Sequence, residues 1–316
     1  MRKILANDGI HAVGKKLLEE VGFEVVTEKI SQENLAAHIG EFDGIIVRSA
    51  TKIKAKDLVN PGRLKIIGRA GVGLDNIDSE FARTAGIEVF NTPSASSKAV
   101  ASLVIAMLTG ISRKLHHAAR TMPLEGANNF ANLKKMYAGG FELEGKKLGI
   151  IGFGRIGQEL ARMAVGLGME IMPYDAFYTP TTLNCEFGKH SFSLPLQQYE
   201  LDQVFEQADV ISFHVPAQKD RALVGLSELN KMKNGVVLIN TSRGGIIDEK
   251  ALIEALDSGK VRAAGLDVFL NEPNPDAHIL EHPGVFSTPH IGAETEEAQT
   301  RIGIELATRI IDFFEM

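Results

Sequence analysis

Short apolar runs rich in Val, Ile and Leu recur along nearly the whole chain. They alternate with longer stretches in which apolar residues return every three or four positions. The runs lie at 3–6, 44–48, 65–69, 88–91, 147–151, 170–174, 210–214, 236–240 and 263–268, mostly bounded by Gly, Pro or Asp. Their length and β-branched content predict strands. Segments 11–21, 156–166, 250–258 and 295–314 carry helical spacing. Continuous apolar strands separated by helices predict parallel sheets covered on both faces, so the expected class is α/β.

One strand-to-helix junction carries more than a fold signal. In Leu148-Gly-Ile-Ile-Gly-Phe-Gly-Arg-Ile-Gly157, the glycines Gly152, Gly154 and Gly157 are spaced G-x-G-x-x-G. The first permits a tight turn, the second lets a pyrophosphate approach the backbone, and the third lets the helix pack closely on the sheet. The helix start adds N–H groups and a positive dipole end. The next apolar run ends at Asp175, 18 residues after Gly157. A carboxylate there accepts both ribose hydroxyls and repels a 2′-phosphate, which predicts NAD rather than NADP.

Because this junction is at mid-chain, another α/β unit precedes it. The expected architecture is two Rossmann-like, doubly wound parallel-sheet domains with a ligand cleft between them. Residues 1–94 and 291–316 are expected to form the substrate-binding domain, and 95–290 the NAD-binding domain. A long helix at 97–120 is expected to cross between them, Thr288-Pro289 to mark the return, and a helix at 294–316 to pack back on the first domain. Segment 121–141 is polar and interrupted by Met122-Pro123 and Gly139-Gly140, which predicts an irregular segment, either an arm onto another subunit or a surface loop.

Composition narrows the function classes. With 316 residues the chain can bury two cores, and a net charge of -6 with scattered basic residues argues against a nucleic-acid surface. The single cysteine, Cys185, excludes an intrachain disulfide and gives no metal cluster, which fits a reduced, cytoplasmic setting. The start, from Met1 to Asp8, has too short an apolar run for a signal peptide. The longest apolar helix candidate, 99–111, is too short to span a bilayer.

Hydride chemistry at a hydroxyl-bearing carbon needs a proton-moving group, a cation for the substrate and an acid that tunes the base. Three segments supply candidates. In Leu238-Ile-Asn-Thr-Ser-Arg243-Gly-Gly245 a strand ends in a guanidinium suited to a carboxylate. Gly265-Leu-Asp267-Val-Phe-Leu-Asn-Glu272-Pro273 offers two acids. Ser287-Thr-Pro289-His290-Ile-Gly292-Ala293 places an imidazole between proline and glycine. A nearby Glu272 would fix the His290 tautomer and favour its protonated form. His116-His117 are expected at the surface of the crossing helix, and His214, with Val215 and Pro216, to line the nucleotide site through backbone. In the first domain, Gly71–Gly73 is expected to form an anion-binding nest, with Arg48 and Arg69 holding an anionic tail such as phosphate.

Taken in order, Val47-Arg48-Ser49-Ala-Thr, Gly68-Arg69-Ala-Gly71-Val-Gly73-Leu-Asp-Asn-Ile-Asp78, Asn91-Thr-Pro, the glycine run, Asn240-Thr-Ser-Arg243-Gly-Gly, Gly265-Leu-Asp-Val-Phe, Glu272-Pro and Pro289-His290-Ile-Gly-Ala span nearly the whole chain. This series resembles the D-2-hydroxyacid dehydrogenase family, and within it the phosphoglycerate dehydrogenase branch. The resemblance implies NAD-dependent oxidation of 3-phospho-D-glycerate to 3-phosphohydroxypyruvate, the first step of serine synthesis. Its alternatives are a glyoxylate or hydroxypyruvate reductase and, in another class, an NAD-sensing corepressor-like protein. It implies Arg243 on the substrate carboxylate and carbonyl, His290 as acid/base and Glu272 as its partner. Arg155 and Ile156 would touch the pyrophosphate, Asp175 the ribose and Asp267 the nicotinamide amide. Val72, Val215, Thr241, Ser242, Gly292 and Ala293 match cofactor-lining positions. Arg48, Ser49, Arg69, Gly71, Val72 and Gly73 would take the substrate, together with Arg243 and His290. Formate-oxidising members carry glutamine where Glu272 stands, so glutamate points to hydroxyacid chemistry. Ala101-Ser102 departs from the family's usual Ala-Glu. Longer phosphoglycerate dehydrogenases add a serine-sensing domain, and feedback through one is not expected here. The expected partners are a small anionic 2-hydroxy acid and further copies of the chain, as a dimer or tetramer, with no nucleic acid, metal or membrane.

Overall fold

The computed structural model describes residues 1–218 and 221–315. Contacts divide the chain into two compact units, Met1–Ala99 with the chain from Ala293 onward, and Val100–Gly292. The divisions fall beyond the expected boundaries at 94 and 290. Ala95 belongs to the first unit's core, and its carbonyl accepts Arg301 Nε at 2.8 Å.

The first unit is built on strands β1 (Arg2–Ala6), β2 (Phe23–Val26), β3 (Gly44–Val47), β4 (Ile66–Arg69) and β5 (Glu88–Asn91). They form one parallel sheet in the order β2-β1-β3-β4-β5. One face packs on Leu18, Ile302, Leu306 and Ile310, the other on Leu35, Ile39, Leu58 and Ala82. Strand β3 is buried at all four positions, as a strand covered on both faces requires. The helix Glu296–Glu315 supplies part of this core, and Met316 lies outside the described residues.

The second unit contains β6 (Lys147–Ile151), β7 (Glu170–Tyr174), a hairpin of β8 (Thr182–Phe187) and β9 (His190–Pro195), then β10 (Val210–Phe213), β11 (Val236–Asn240), β12 (Val261–Leu266) and β13 (Val285–Ser287). Its main sheet is parallel, in the order β13-β12-β11-β10-β6-β7. The chain runs outward from β6 in both directions. A crevice therefore opens at the carboxyl ends of β6 and β10, where ligands bind in open sheets of this kind. Strands β2, β8, β9 and β13 were not expected from the sequence.

Three expectations need correction. The helix expected at 97–120 ends at Ser112, and a second helix, Leu115–Met136, follows Lys114, whose φ of 54° is left-handed. Segment 121–141, expected to be irregular, is therefore largely helical. Pro123 sits inside the helix and Asn129 departs from helical geometry. Lys114 Nζ donates to the carbonyls of Met136 at 3.3 Å and Ala138 at 3.1 Å, satisfying groups that the helix end leaves open. His116 is not a surface residue either. Its ring stacks on Phe286 with centroids 4.7 Å apart, and both ring nitrogens are enclosed.

Candidate active site

The buried strand β6 delivers the chain to Gly152, which has φ of 94°. A Cβ there would lie 2.4 Å from the His214 carbonyl oxygen, so neither the conformation nor the space admits a side chain. A Cβ on Gly157 would lie 2.4 Å from the Gly152 carbonyl oxygen, which lets the helix Arg155–Val165 start hard against the turn. Gly154 differs, because a Cβ there would meet nothing within 4 Å. It is the N-cap of that helix and makes no side-chain cap bond. The N–H groups at Arg155 and Ile156 thus border open space at a positive helix end.

Asp175 closes this region from the end of β7. Its Oδ2 accepts Phe153 N–H at 2.9 Å, and its Oδ1 accepts Phe177 N–H at 3.0 Å. An ionised carboxylate has about four acceptor positions, so capacity for a ribose hydroxyl remains. His214 N–H donates to the Ile151 carbonyl at 2.7 Å, which places the 214–216 backbone along the glycine turn. Pro216 is exposed. Burial pushes the His214 imidazole down to about 4, so the ring is neutral near pH 7. His214 Nδ1 and Thr241 Oγ1 are both enclosed without a protein partner. Two orphaned polar atoms at the carboxyl ends of β10 and β11, on the same sheet edge as the open helix N-terminus and Gly154, fit a bound dinucleotide.

Arg243, Glu272 and His290 all belong to the second unit, and the structure brings them together. Strand β11 ends at the buried Asn240, whose Oδ1 accepts Ser242 N–H at 3.1 Å and Ser242 Oγ–H at 2.8 Å. Asn240 Nδ2 donates to the Arg243 carbonyl at 2.8 Å, so one side chain shapes the whole turn. A Cβ on Gly244 would fall 1.9 Å from the Phe269 carbonyl oxygen, so the Arg243 turn lies directly against the segment leading to Glu272.

Glu272 Oε1 accepts Phe269 N–H at 2.9 Å, and its Oε2 lies 2.7 Å from His290 Nδ1. Burial alone pushes this carboxyl up. The His290 hydrogen bond, the Phe269 N–H and the nearby charges of His290 and Arg243 outweigh burial and hold it below the usual carboxylate range. The ionised carboxylate only accepts, so His290 Nδ1 carries a proton and Nε2 is left for chemistry.

His290 has φ of 55°, in the left-handed region that a side chain rarely adopts. Asp267, buried at the end of β12, holds it there. Its Oδ1 accepts Thr288 Oγ–H at 2.6 Å and Ile291 N–H at 2.8 Å, and its Oδ2 accepts Gly292 N–H at 2.8 Å. Burial pushes the Asp267 carboxyl up, against these hydrogen bonds. Sequence reasoning named Asp267 but missed Thr288, Asn240 and the Phe269 N–H. Thr288 and Asn240 stood inside motifs already singled out, at the two strand ends.

The first-unit candidates are placed differently. Arg48 N–H donates to Asp8 Oδ2 at 2.8 Å, and its guanidinium pairs with Glu294, a residue the sequence reading passed over. Burial lowers the Arg48 pKa against the nearby Asp8 charge. Arg69 folds back so that Nη1 donates to the Ala70 carbonyl at 2.9 Å. The expected Gly71–Gly73 nest is incomplete, because Gly71 N–H is committed to Thr92 Oγ1 at 2.8 Å. Ser49 and Val72 are exposed, and Gly73 is half-buried. Ala293 also belongs to the first unit, one residue past Gly292. Among the described residues no group of three or more His, Cys, Asp or Glu is arranged for a metal ion. No single helix among them is long and apolar enough to cross a membrane.

Comparison with known proteins adds independent findings. Residues 105–292 match the NAD-binding domain of the D-isomer specific 2-hydroxyacid dehydrogenases. The chain is 44% identical over 315 residues to hydroxypyruvate reductase of Thermotoga maritima, covering 98% of this chain and 97% of the relative. It is 38% identical to D-3-phosphoglycerate dehydrogenase of Rattus norvegicus, covering 99% of this chain but 56% of that protein. Among solved structures, NAD+-bound 3-phosphoglycerate dehydrogenase of Entamoeba histolytica superposes with a TM-score of 0.79 at 31% identity, covering 100% of this chain and 95% of that one. NAD is the cofactor of this domain family.

Proposed function

This chain belongs to the family of D-isomer specific 2-hydroxyacid dehydrogenases, and we propose that it interconverts a three-carbon D-2-hydroxy acid and its 2-oxo acid with NAD, the pair being D-glycerate and hydroxypyruvate. The observation that carries the chemistry is the 2.7 Å contact between His290 Nδ1 and Glu272, with Arg243 close enough to act on the same carboxylate. When bound, the dinucleotide supplies or accepts the hydride. In the reductive direction His290 Nε2 gives its proton to the substrate carbonyl oxygen, and in the oxidative direction it takes the hydroxyl proton. Glu272 holds Nδ1 and stabilises the imidazolium between these events. The Arg243 guanidinium takes the substrate carboxylate as a fork and polarises the adjacent carbonyl.

The choice of hydroxypyruvate is supported by the Thermotoga relative, which matches this chain over nearly the full length of both. Oxidation of 3-phospho-D-glycerate is the second reading, favoured by relatives of that name at 38% to 40% identity. The test is a steady-state screen of NADH oxidation with hydroxypyruvate, 3-phosphohydroxypyruvate, glyoxylate and pyruvate. Turnover of hydroxypyruvate above the other three supports the proposal, and turnover of 3-phosphohydroxypyruvate above the other three supports the second reading instead. A folded protein that binds NADH and turns over none of the four contradicts it, and leaves an NAD-sensing role.

A further inference from the structure

The loop that carries Glu272 runs from the end of β12 at Leu266 to the helix Ala277–Glu281. Residues 270–274 of this loop are exposed, so burial does little to fix them. Phe269 anchors the start, because its side chain lies in the second unit's core. One residue on, Leu270 N–H donates to Glu249 Oε1 at 2.8 Å. Two consecutive peptide donors therefore end on two glutamates. Phe269 N–H goes to Glu272 of the same loop, and Leu270 N–H goes to a residue of another element.

Glu249 opens the helix Glu249–Asp257, but the capping there is done by its neighbour. Asp248 Oδ1 accepts Lys250 N–H at 3.0 Å and Ala251 N–H at 3.2 Å. The segment before the helix is itself held, with Val224 N–H donating to the Ile246 carbonyl at 3.0 Å and Asp248 N–H to the Val224 carbonyl at 2.9 Å. A Cβ on Gly244 would lie 2.6 Å from Leu270 N, and one on Gly245 would lie 3.1 Å from Leu270 Cδ1. Segment 244–249 thus grips the Phe269–Leu270 peptide by close packing at Gly244 and by a carboxylate at Glu249. A hydrogen bond to a carboxylate is about twice as strong as one between neutral groups. Gly244, Glu249, Leu270 and Asn271 also border a cavity of about 580 Å³, which gives the loop room to relax once that bond is lost.

Glu272 Oε2 lies 2.7 Å from His290 Nδ1, and a misplacement of about 1 Å at such a contact can cost on the order of 100-fold in rate. We infer that Glu249 is a positioning residue: by holding Leu270 N–H it keeps the loop where Glu272 meets His290. This role rests on the reading above, that His290 and Glu272 move the substrate proton.

The test measures kcat and KM for hydroxypyruvate, NADH affinity and melting temperature in wild type, Glu249→Ala, Glu249→Gln and Asp248→Ala. Glu249→Ala should lower kcat by about tenfold or more, with KM and NADH affinity close to wild type. Glu249→Gln keeps an acceptor oxygen and should retain most of the rate. Asp248→Ala removes the helix cap and should lower the melting temperature while leaving kcat close to wild type. In a Glu272→Gln background, Glu249→Ala should cost little more, because residues that act as a unit are not additive. A wild-type kcat in Glu249→Ala, an equal loss in Asp248→Ala, or an undiminished loss in the Glu272→Gln background overturns the positioning role. His290→Ala is run alongside. If it too keeps the wild-type rate, the proton-transfer reading falls with the positioning role; if it loses the rate, that reading stands whatever Glu249→Ala does.

Discussion

Thr288 donates its hydroxyl to Asp267 at 2.6 Å, two residues before His290. The same carboxylate receives the N–H groups of Ile291 and Gly292, so it grips the chain on both sides of the imidazole. A non-glycine residue in the left-handed region costs on the order of 1–3 kcal/mol and persists only where its surroundings over-determine it. Asp267 and Thr288 provide that determination. Thr288→Val should lower kcat by about 10- to 100-fold, in the range found when groups supporting a reactive ligand are removed. KM and NADH affinity should move much less, and Thr288→Ser should restore most of the rate. Kinetics of the three proteins at saturating NADH decide this, and a Val variant with wild-type kcat removes the assigned role.

The glycines of the turn separate a folding role from a binding role. Gly152→Ala places a methyl 2.4 Å from the His214 carbonyl oxygen at a φ of 94°. It should cost about 2 kcal/mol or more of stability. Gly154→Ala meets no protein atom within 4 Å. It should melt close to wild type while weakening NADH by about tenfold or more, because its methyl occupies the space that a pyrophosphate needs. Thermal melts paired with NADH titrations distinguish them, and equal stability of the two variants contradicts this division.

His214 gives the fold a specific acid sensitivity. Its folded value of about 4 lies below the unfolded value of 6.5, so the native state binds fewer protons than the unfolded chain between them. The contribution is fully present above about pH 6.5 and is lost as pH falls through about 4. A shift of this size corresponds to about 3 kcal/mol. Melting curves of wild type and His214→Gln should converge or cross across that window, the wild type losing more as the pH drops. Parallel curves contradict a buried neutral imidazole.

Much of this architecture could be read from the residues because its determinants are local. The apolar strands, the glycine junction and the strand-end segments holding Arg243, Glu272 and His290 each declare themselves within about ten residues. What could not be read depends on distant partners. Leu115–Met136 contains Pro123 and Gly126, both poor in a helix interior, and is nevertheless helical. Leu133 is buried, Thr121 Oγ–H donates to the His117 carbonyl at 3.0 Å, and Lys114 ties down the far end. The β8–β9 hairpin is largely polar and exposed along β9, so its period carries little signal. Gly71 looked available as an anion donor because its acceptor, Thr92, lies 21 residues away. The Arg48–Glu294 pair joins positions 246 residues apart, and no local pattern announces it.

The proposed role of His290, held at Nδ1 by Glu272, is to move the substrate proton. It is tested most directly by single-turnover NADH oxidation with hydroxypyruvate in wild type and His290→Ala, with NADH affinity measured in parallel. The predicted result is a fall in the hydride-transfer rate of about 10²- to 10⁴-fold with NADH affinity nearly unchanged. Equal single-turnover rates in the two proteins would contradict it.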